Sequence, residues 1–167
     1  GEIAHRVAKR ASSFGMKVLG CDPYIGAYDF APAETGITSV TLAQLLSRSD
    51  FISIHVPLTA QTRYLISTRE FQQMKPNAYL INTARGGIVD EIALLQAVQN
   101  GLIAGACLDV LEREPVDPDH PLLRCEHVVI TPHVAGLTEE SQLRTSLLIA
   151  EEVGKILRGE TSLCTIF

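Results

Sequence analysis

The chain has 167 residues, of which 46% are hydrophobic, 20% charged and 5% aromatic, and its formal net charge is −5. This length suffices for one well-buried globular domain. The negative charge and the lack of a long Lys/Arg run exclude nucleic acid or an acidic membrane surface as the main partner, since both need a concentrated cationic face. No apolar stretch approaches the length of a membrane span, and no signal-peptide pattern is seen.

Short apolar runs alternate with helical patterns along the whole chain, which is typical of βαβ units on a parallel sheet. Predicted helices lie at 3–14, 42–46, 68–74, 91–100 and 138–158, and predicted strands at 17–21, 51–56, 78–82, 103–109 and 127–131. Thr41 and Asp90 are placed to cap two of these helices, and Gly15, Gly101 and Gly159 to end three of them. The pattern predicts an α/β fold with a doubly wound parallel sheet.

The four cysteines are scattered and show none of the paired spacings of a metal site. A disulfide framework is not expected in a domain of this size. We therefore predict that the chain binds no metal and is cytoplasmic, because thiols stay reduced in that compartment.

The first residues fit part of a dinucleotide-binding fingerprint. Such a fold needs a glycine-rich turn where the backbone approaches a pyrophosphate, and an acid about 20 residues later for the ribose hydroxyls. Gly1 fits the second glycine of G-x-G-x-x-G/A, Ala4 the third small position and Asp22 the acid, which would repel a 2′-phosphate and favour NAD over NADP. A terminal glycine and a turn-forming aspartate explain the same pattern, so both interpretations stay open here.

Four later segments are much more specific. They are IHVPLT at Ile54–Thr59, INTARGGIVDE at Ile81–Glu91, LDVLEREP at Leu108–Pro115 and ITPHVAG at Ile130–Gly136. In this order and spacing they closely resemble the D-isomer-specific 2-hydroxyacid dehydrogenases, a family that also includes a few NAD-sensing corepressors. The resemblance covers essentially the whole chain and implies a Rossmann-type NAD-binding domain.

The resemblance also implies a catalytic trio. Arg85 would bind the substrate carboxylate and polarise its keto oxygen, and His133 would be the acid/base, hydrogen-bonded by Glu114. These residue types suit hydride transfer to a keto acid, because charge develops on the carbonyl oxygen and requires a proton donor and a fixed positive charge. The residues implied to lie beside NAD are Gly1, Glu2, Ile3, Asp22, His55, Val56, Pro57, Thr59, Thr62, Thr83, Ala84, Arg85, Asp109, His133 and Ala135. Glu112, Arg113 and His120 are expected to be solvated or structural neighbours.

The chain is shorter than the family pattern, whose members carry a substrate domain ahead of residue 1. We expect residues 1–140 to form the NAD-binding domain without its first strand, and residues 141–167 to form a long helix and tail that lead back towards the substrate domain. Such a fragment is expected to bind NAD poorly and to turn over little substrate.

Three functions are open. The leading hypothesis is an oxidoreductase that interconverts a 2-keto acid and a D-2-hydroxy acid with NAD(H), as a homodimer of the kind common in the family. The second is a non-catalytic NAD-sensing interaction protein of the corepressor type, because such relatives can retain all three catalytic residues. The third is a bare Rossmann domain that binds nucleotide for structural or regulatory reasons.

Overall fold

The computed structural model describes residues 1–25 and 36–162. The helices are α1 (Glu2–Ser13), α2 (Leu42–Arg48), α3 (Thr68–Phe71), α4 (Glu91–Gln99) and α5 (Glu139–Leu157). The strands are β1 (Leu19–Gly20), β2 (Thr38–Ser39), β3 (Phe51–Ile54), β4 (Tyr79–Asn82), β5 (Gly105–Leu108) and β6 (Val128–Ile130). Each predicted helix and strand is present, although most are shorter than predicted. The short strand β2 and a 3₁₀ turn at Pro121–Arg124 were not predicted.

The strands β3, β4, β5 and β6 form a parallel sheet in that order, and β1 and β2 form a separate parallel pair. Ile54, Asn82 and Leu108 lie side by side where β3, β4 and β5 end, and Leu108 is paired with Ile130 of β6. Because all four strands run the same way, the segments that follow them emerge at one edge, the carboxyl edge of the sheet. The α/β prediction with a parallel sheet is confirmed.

The apolar core lies between the four-stranded sheet and helices α2, α3 and α4. Ile52 and Leu80 alternate with more exposed neighbours along their strands, and they are buried in this core together with Ala106. Leu46 of α2 and Phe71 of α3 are fully buried against them. Burial of an aliphatic or aromatic side chain of this size contributes about 1.5–3 kcal/mol, so this cluster holds the carboxyl edge in place.

The predicted caps fix two helix starts. Thr41 accepts a hydrogen bond from the Gln44 amide at 3.3 Å, and the Gln44 side chain accepts one from the Thr41 amide at 3.1 Å, which completes a capping box. Asp90 Oδ1 accepts from the second and third backbone amides of α4, both at 3.1 Å. Each cap satisfies donors that would otherwise lack a partner within the helix.

The chain divides into two compact units, Gly1–Pro132 and His133–Phe167. The first contains both sheets and α1 to α4. The second contains α5, where Thr138 accepts from the Ser141 amide at 3.1 Å and caps the helix start. The predicted division of roles at residue 140 stays a prediction. Among the described residues, no helix is both long enough and apolar enough to cross a membrane.

Candidate active site

The segment after β4 is folded around the side chain of Asn82, which is 1% exposed. Asn82 Nδ2 donates to the Arg85 carbonyl at 3.0 Å, and Asn82 Oδ1 accepts from the Ala84 amide at 3.0 Å. These two bonds turn residues 83–85 back over the end of the strand. Arg85 is thereby placed at the carboxyl edge, where its exposed guanidinium also donates to the Ala84 carbonyl at 2.6 Å.

The segment that carries Glu114 packs directly on this turn. A Cβ built on Gly86 would overlap the carbonyl of Leu111, so only glycine permits this approach of the two backbones. The Leu111 amide in turn donates to Glu114 Oε1 at 2.9 Å. The first unit thus brings Arg85 and Glu114, two members of the predicted trio, onto adjoining backbone segments.

Asp109 follows β5 at the same edge and is buried. Its amide donates to the Asn82 carbonyl at 2.9 Å, and its Oδ1 accepts from Thr131 Oγ1 at 2.5 Å. Thr131 follows β6, and its own amide donates to the Leu108 carbonyl at 2.9 Å. A buried carboxylate requires such donors, and here they connect the ends of three neighbouring strands.

The segment after β3 forms the next part of the edge. His55 is half-buried, and its Nε2 lies 2.9 Å from Ser53 Oγ. Burial lowers the pKa of His55 from its usual 6.5. Further along, Thr62 Oγ1 donates to the Pro57 carbonyl at 2.6 Å and accepts from the Thr59 amide at 2.7 Å. Thr62 therefore fixes the loop in which the cofactor residues were predicted.

The amino-terminal part of the predicted site is more exposed. Gly1 stands at the N-cap position of α1, where no side chain caps the helix start. Glu2 pairs with Arg6 at 3.3 Å, and Ile3 is 67% exposed. Asp22 follows β1 and accepts from the Tyr24 amide at 2.9 Å, as a turn-forming aspartate does. An ionised carboxylate can accept further donors beyond one amide, so this bond is compatible with a ribose contact as well.

His133 begins the second unit. Its backbone has φ of 55°, in the left-handed region that few non-glycine residues adopt. Such residues are concentrated at functional sites. His133 and Ala135 are exposed in the structure. The predicted relation of His133 to Arg85 and Glu114 joins two units and stays a prediction.

Residues 1–135 match the model of a protein family described as "D-isomer specific 2-hydroxyacid dehydrogenase, NAD binding domain". The chain belongs to this family. The match spans the first unit and reaches into the motif around His133, so the family resemblance drawn from the four motifs is confirmed.

Relatives of known activity agree with this assignment. The chain is 46% identical over 160 residues to a glyoxylate reductase of Korarchaeum cryptofilum, covering 96% of this chain and 48% of that protein. It is 44% identical over 165 residues to a D-3-phosphoglycerate dehydrogenase of Methanocaldococcus jannaschii, covering 96% and 30%. A crystal structure of D-lactate dehydrogenase with NAD+ from Lactobacillus jensenii superimposes with a TM-score of 0.89 at 30% identity, covering 100% and 53%. The chain spans about half the length of these relatives or less.

The residues of this dehydrogenase domain fit the NAD that its family binds. The start of α1 offers backbone amides without a side-chain cap, which is the donor set that a pyrophosphate needs. Asp22 follows the strand after α1, the position where an acid receives ribose hydroxyls. The carboxyl edge with Asn82 and Asp109 lies where nucleotides bind in open parallel sheets.

The contacts of two residues at this edge were not predicted from the sequence motifs. Asn82 was not singled out, although an amide side chain at the end of a buried strand is a signal that it bonds to backbone. Glu112 is exposed, as expected, but it also makes two hydrogen bonds that were not predicted. Its amide donates to Glu91 Oε1 at 2.6 Å, and its Oε2 accepts from the Tyr64 hydroxyl at 2.9 Å. The bond with Glu112 raises the pKa of Tyr64 above its usual value.

Proposed function

We propose that this chain is the nucleotide-binding and acid–base part of an NAD-dependent oxidoreductase that interconverts a 2-keto acid and a D-2-hydroxy acid. One observation carries the proposal: Arg85 and Glu114 stand on adjoining backbone segments at the carboxyl edge of the sheet. Ligands of open α/β folds bind at this edge. The activities of the named relatives, glyoxylate reductase and D-3-phosphoglycerate dehydrogenase, support the same reaction class.

Each member of the trio has a role that its chemistry suits. NAD(H) supplies or accepts the hydride when it is bound. In the reducing direction the Arg85 guanidinium binds the substrate carboxylate through its planar fork and stabilises the charge on the keto oxygen. His133 donates a proton to that oxygen, and the Glu114 carboxylate stabilises the charged form of the imidazole. In the oxidising direction His133 accepts the proton back.

The proposed cofactor contacts follow the edge of the sheet. Gly1 and the first amides of α1 hold the pyrophosphate, and Asp22 holds the adenosine ribose. His55 lies at the adenosine end, and Asp109 near the carboxamide of the nicotinamide. Because a carboxylate at Asp22 repels a 2′-phosphate, the proposal includes a preference for NAD over NADP.

Turnover by the complete protein tests the proposal. NADH oxidation is measured with glyoxylate, hydroxypyruvate and pyruvate, and steady turnover with at least one of them is expected. His133→Ala is expected to lower kcat by roughly 10²–10⁴-fold, the usual contribution of a general acid or base. His127→Ala is the matched control, since His127 is an exposed histidine just before β6 that has no proposed role.

Two other outcomes would reject the enzyme. Binding of NAD without turnover of any 2-keto acid would favour the NAD-sensing interaction protein. Absence of turnover together with NAD binding that His133→Ala leaves unchanged, and no other function that depends on His133, would favour a domain that binds nucleotide for structural or regulatory reasons. We also propose that the complete protein is cytoplasmic and forms a homodimer. Sedimentation measurements on the complete protein give its oligomeric state.

A further inference from the structure

A polar cluster outside the proposed trio joins three elements of the first unit. It consists of Glu91 at the start of α4, Glu112 after β5 and His120 before the 3₁₀ turn. Glu91 Oε1 accepts from the Glu112 amide at 2.6 Å, and Glu91 Oε2 lies 3.1 Å from His120 Nε2. The Glu91 side chain is only 12% exposed and that of His120 25%. We refer to these three residues as the Glu91 cluster.

The helix that begins with Glu91 does not need this carboxylate. Asp90 already caps α4 through two backbone amides, and its second oxygen accepts from Ser67 Oγ at 2.8 Å. The Glu91 carboxylate is therefore directed at groups outside its own helix. Burial, and to a lesser degree the Glu112 carboxylate, raise the pKa of Glu91, while the bonds from the Glu112 amide and from His120 oppose that rise.

His120 binds Glu91 without needing a positive charge. Its Nδ1 accepts from the Leu122 amide at 3.4 Å, at the start of the 3₁₀ turn. A neutral imidazole whose Nδ1 is an acceptor carries its proton on Nε2, and Nε2 is the atom that faces Glu91. Leu122 is buried in the core, so the imidazole is anchored from behind and holds the carboxylate in one orientation.

The cluster fixes the peptide group between Leu111 and Glu112. The carbonyl of this peptide packs against Gly86, and its amide donates to Glu91. The neighbouring Leu111 amide donates to Glu114 Oε1. Two consecutive amides thus bind two different carboxylates, one that holds the loop and one that belongs to the proposed trio. The Leu111 amide, which orients Glu114, belongs to the preceding peptide. If the Leu111–Glu112 peptide rotated, the Leu111 amide would therefore move as well.

A second set of contacts holds the same loop through the side chain of Glu112. The Glu112 carboxylate accepts from the Tyr64 hydroxyl at 2.9 Å and lies 3.9 Å from Arg63 Nη2. The Tyr64 amide donates to the Gly87 carbonyl at 2.8 Å. These bonds connect the loop with the turn that carries Arg85, but they act on the side chain of Glu112 rather than on its peptide.

We propose that Glu91, held by His120, is a positioning residue that fixes the Leu111–Glu112 peptide and thereby the orientation of Glu114. The catalytic consequence rests on the function proposed above for Glu114, whereas the effect on the loop does not. Loss of the Glu91 carboxylate frees the Glu112 amide, loosens the loop and misdirects Glu114. The effect on NAD binding is expected to be small, because most proposed cofactor contacts lie on other segments and Asp109 is held separately by Asn82 and Thr131.

Two independent readouts on the complete protein test this role. Hydrogen exchange of the peptide containing Leu111 and Glu112, measured without ligand, is expected to rise about tenfold or more in Glu91→Ala, as loss of a bond to a charged group predicts. In the same variant kcat is expected to fall about tenfold while KM for NADH changes less than about twofold. His120→Ala, which removes one of the two donors to the carboxylate, is expected to give an intermediate effect, and it replaces Glu91→Ala if that variant does not fold.

Two further variants separate positioning from general damage. Glu91→Gln retains an oxygen that can accept from the Glu112 amide but places an NH2 group against the Nε2 donor of His120. It is therefore expected to recover part of the exchange protection and of kcat, to about the level of His120→Ala. Asp119→Ala removes the exposed ion pair with Arg124 close to His120 and is expected to change neither readout.

Unchanged exchange in Glu91→Ala, or faster exchange with unchanged kcat and KM, would overturn the positioning role. A wild-type protein without turnover, in which Glu91→Ala still accelerates exchange, would reject the proposed enzyme and leave the control of the loop by Glu91 intact.

Discussion

The carboxyl edge and the amino-terminal segment of the first unit differ sharply in how their proposed functional residues are held. At the edge, Asn82, Gly86 and Glu91 fix the backbone around Arg85 and Glu114 through side-chain hydrogen bonds to backbone groups and through direct backbone packing. In the amino-terminal segment, α1 buries only Ala8. Large apolar side chains of this segment are exposed, with Ile3 at 67% and Phe14 at 87%.

Tertiary contacts hold the proposed site residues of the edge, whereas those of the amino-terminal segment are placed by local structure. The orientation of Arg85 and Glu114 follows from contacts that residues without a chemical role make with the surrounding backbone. Gly1 and Asp22 are placed by helix and strand ends alone, so their proposed contacts with NAD rest on the chemistry of free amides and of an exposed carboxylate.

Gly86→Ala is expected to produce the largest effect. Its Cβ would overlap the Leu111 carbonyl, so the two segments must separate at a cost of about 3 kcal/mol in unfolding free energy. Denaturant unfolding of the complete protein gives this value. Gly136→Ala is the control, because a Cβ there meets no atom within 4 Å and the backbone needs no positive φ. Similar losses in both variants would show that the backbone approach at the edge is not tight.

Asn82→Ala is expected to cost about 2 kcal/mol, since it removes two hydrogen bonds and leaves the Ala84 amide and the Arg85 carbonyl without them. Unfolding free energy again provides the measurement. Asn100→Ala, at an exposed helix end, should stay within about 0.5 kcal/mol of the wild type. If both asparagine variants were equally stable, the turn that carries Arg85 would not depend on the amide.

Asp90→Ala is expected to cost about 1–2 kcal/mol, because α4 loses its cap. Asp90→Asn retains an acceptor oxygen and should recover most of this loss. Thermal unfolding of the two variants side by side decides the point. Equal destabilisation by Ala and Asn would mean that the charge of Asp90, rather than its capping bonds, stabilises this part of the edge.

His55, which follows β3 at the carboxyl edge, gives the smallest expected effect. Because burial lowers its pKa in the folded state below the usual 6.5, its contribution to stability is present above pH 6.5 and is lost as the pH falls towards the folded value. NMR titration of the imidazole should show the lowered pKa, and the stability difference between wild type and His55→Gln should shrink with acid. A measured pKa at or above 6.5 would mean that His55 is solvated.

Local patterns anticipated much of the fold and part of the site. Helix ends at Thr41, Asp90 and Gly101 were predicted at the right residues, because capping and positive φ depend on neighbours within a few positions. The strands were predicted too long, since apolar runs continue past the residues that pair in the sheet. The apolar positions of α5, such as Leu143 and Leu147, are exposed, which periodicity alone does not reveal.

What the amino-acid sequence determined by itself was the order of helices and strands, their caps and the family motifs, all of which are written within short windows of the chain. The tertiary structure alone decided which residues hold those motifs. Glu91 reaches an amide 21 residues away, and the Tyr64 hydroxyl reaches a carboxylate 48 residues away. The physical reason is that such bonds depend on the register of β4 beside β5, which brings distant segments to one edge. This register produces no periodic pattern in the sequence.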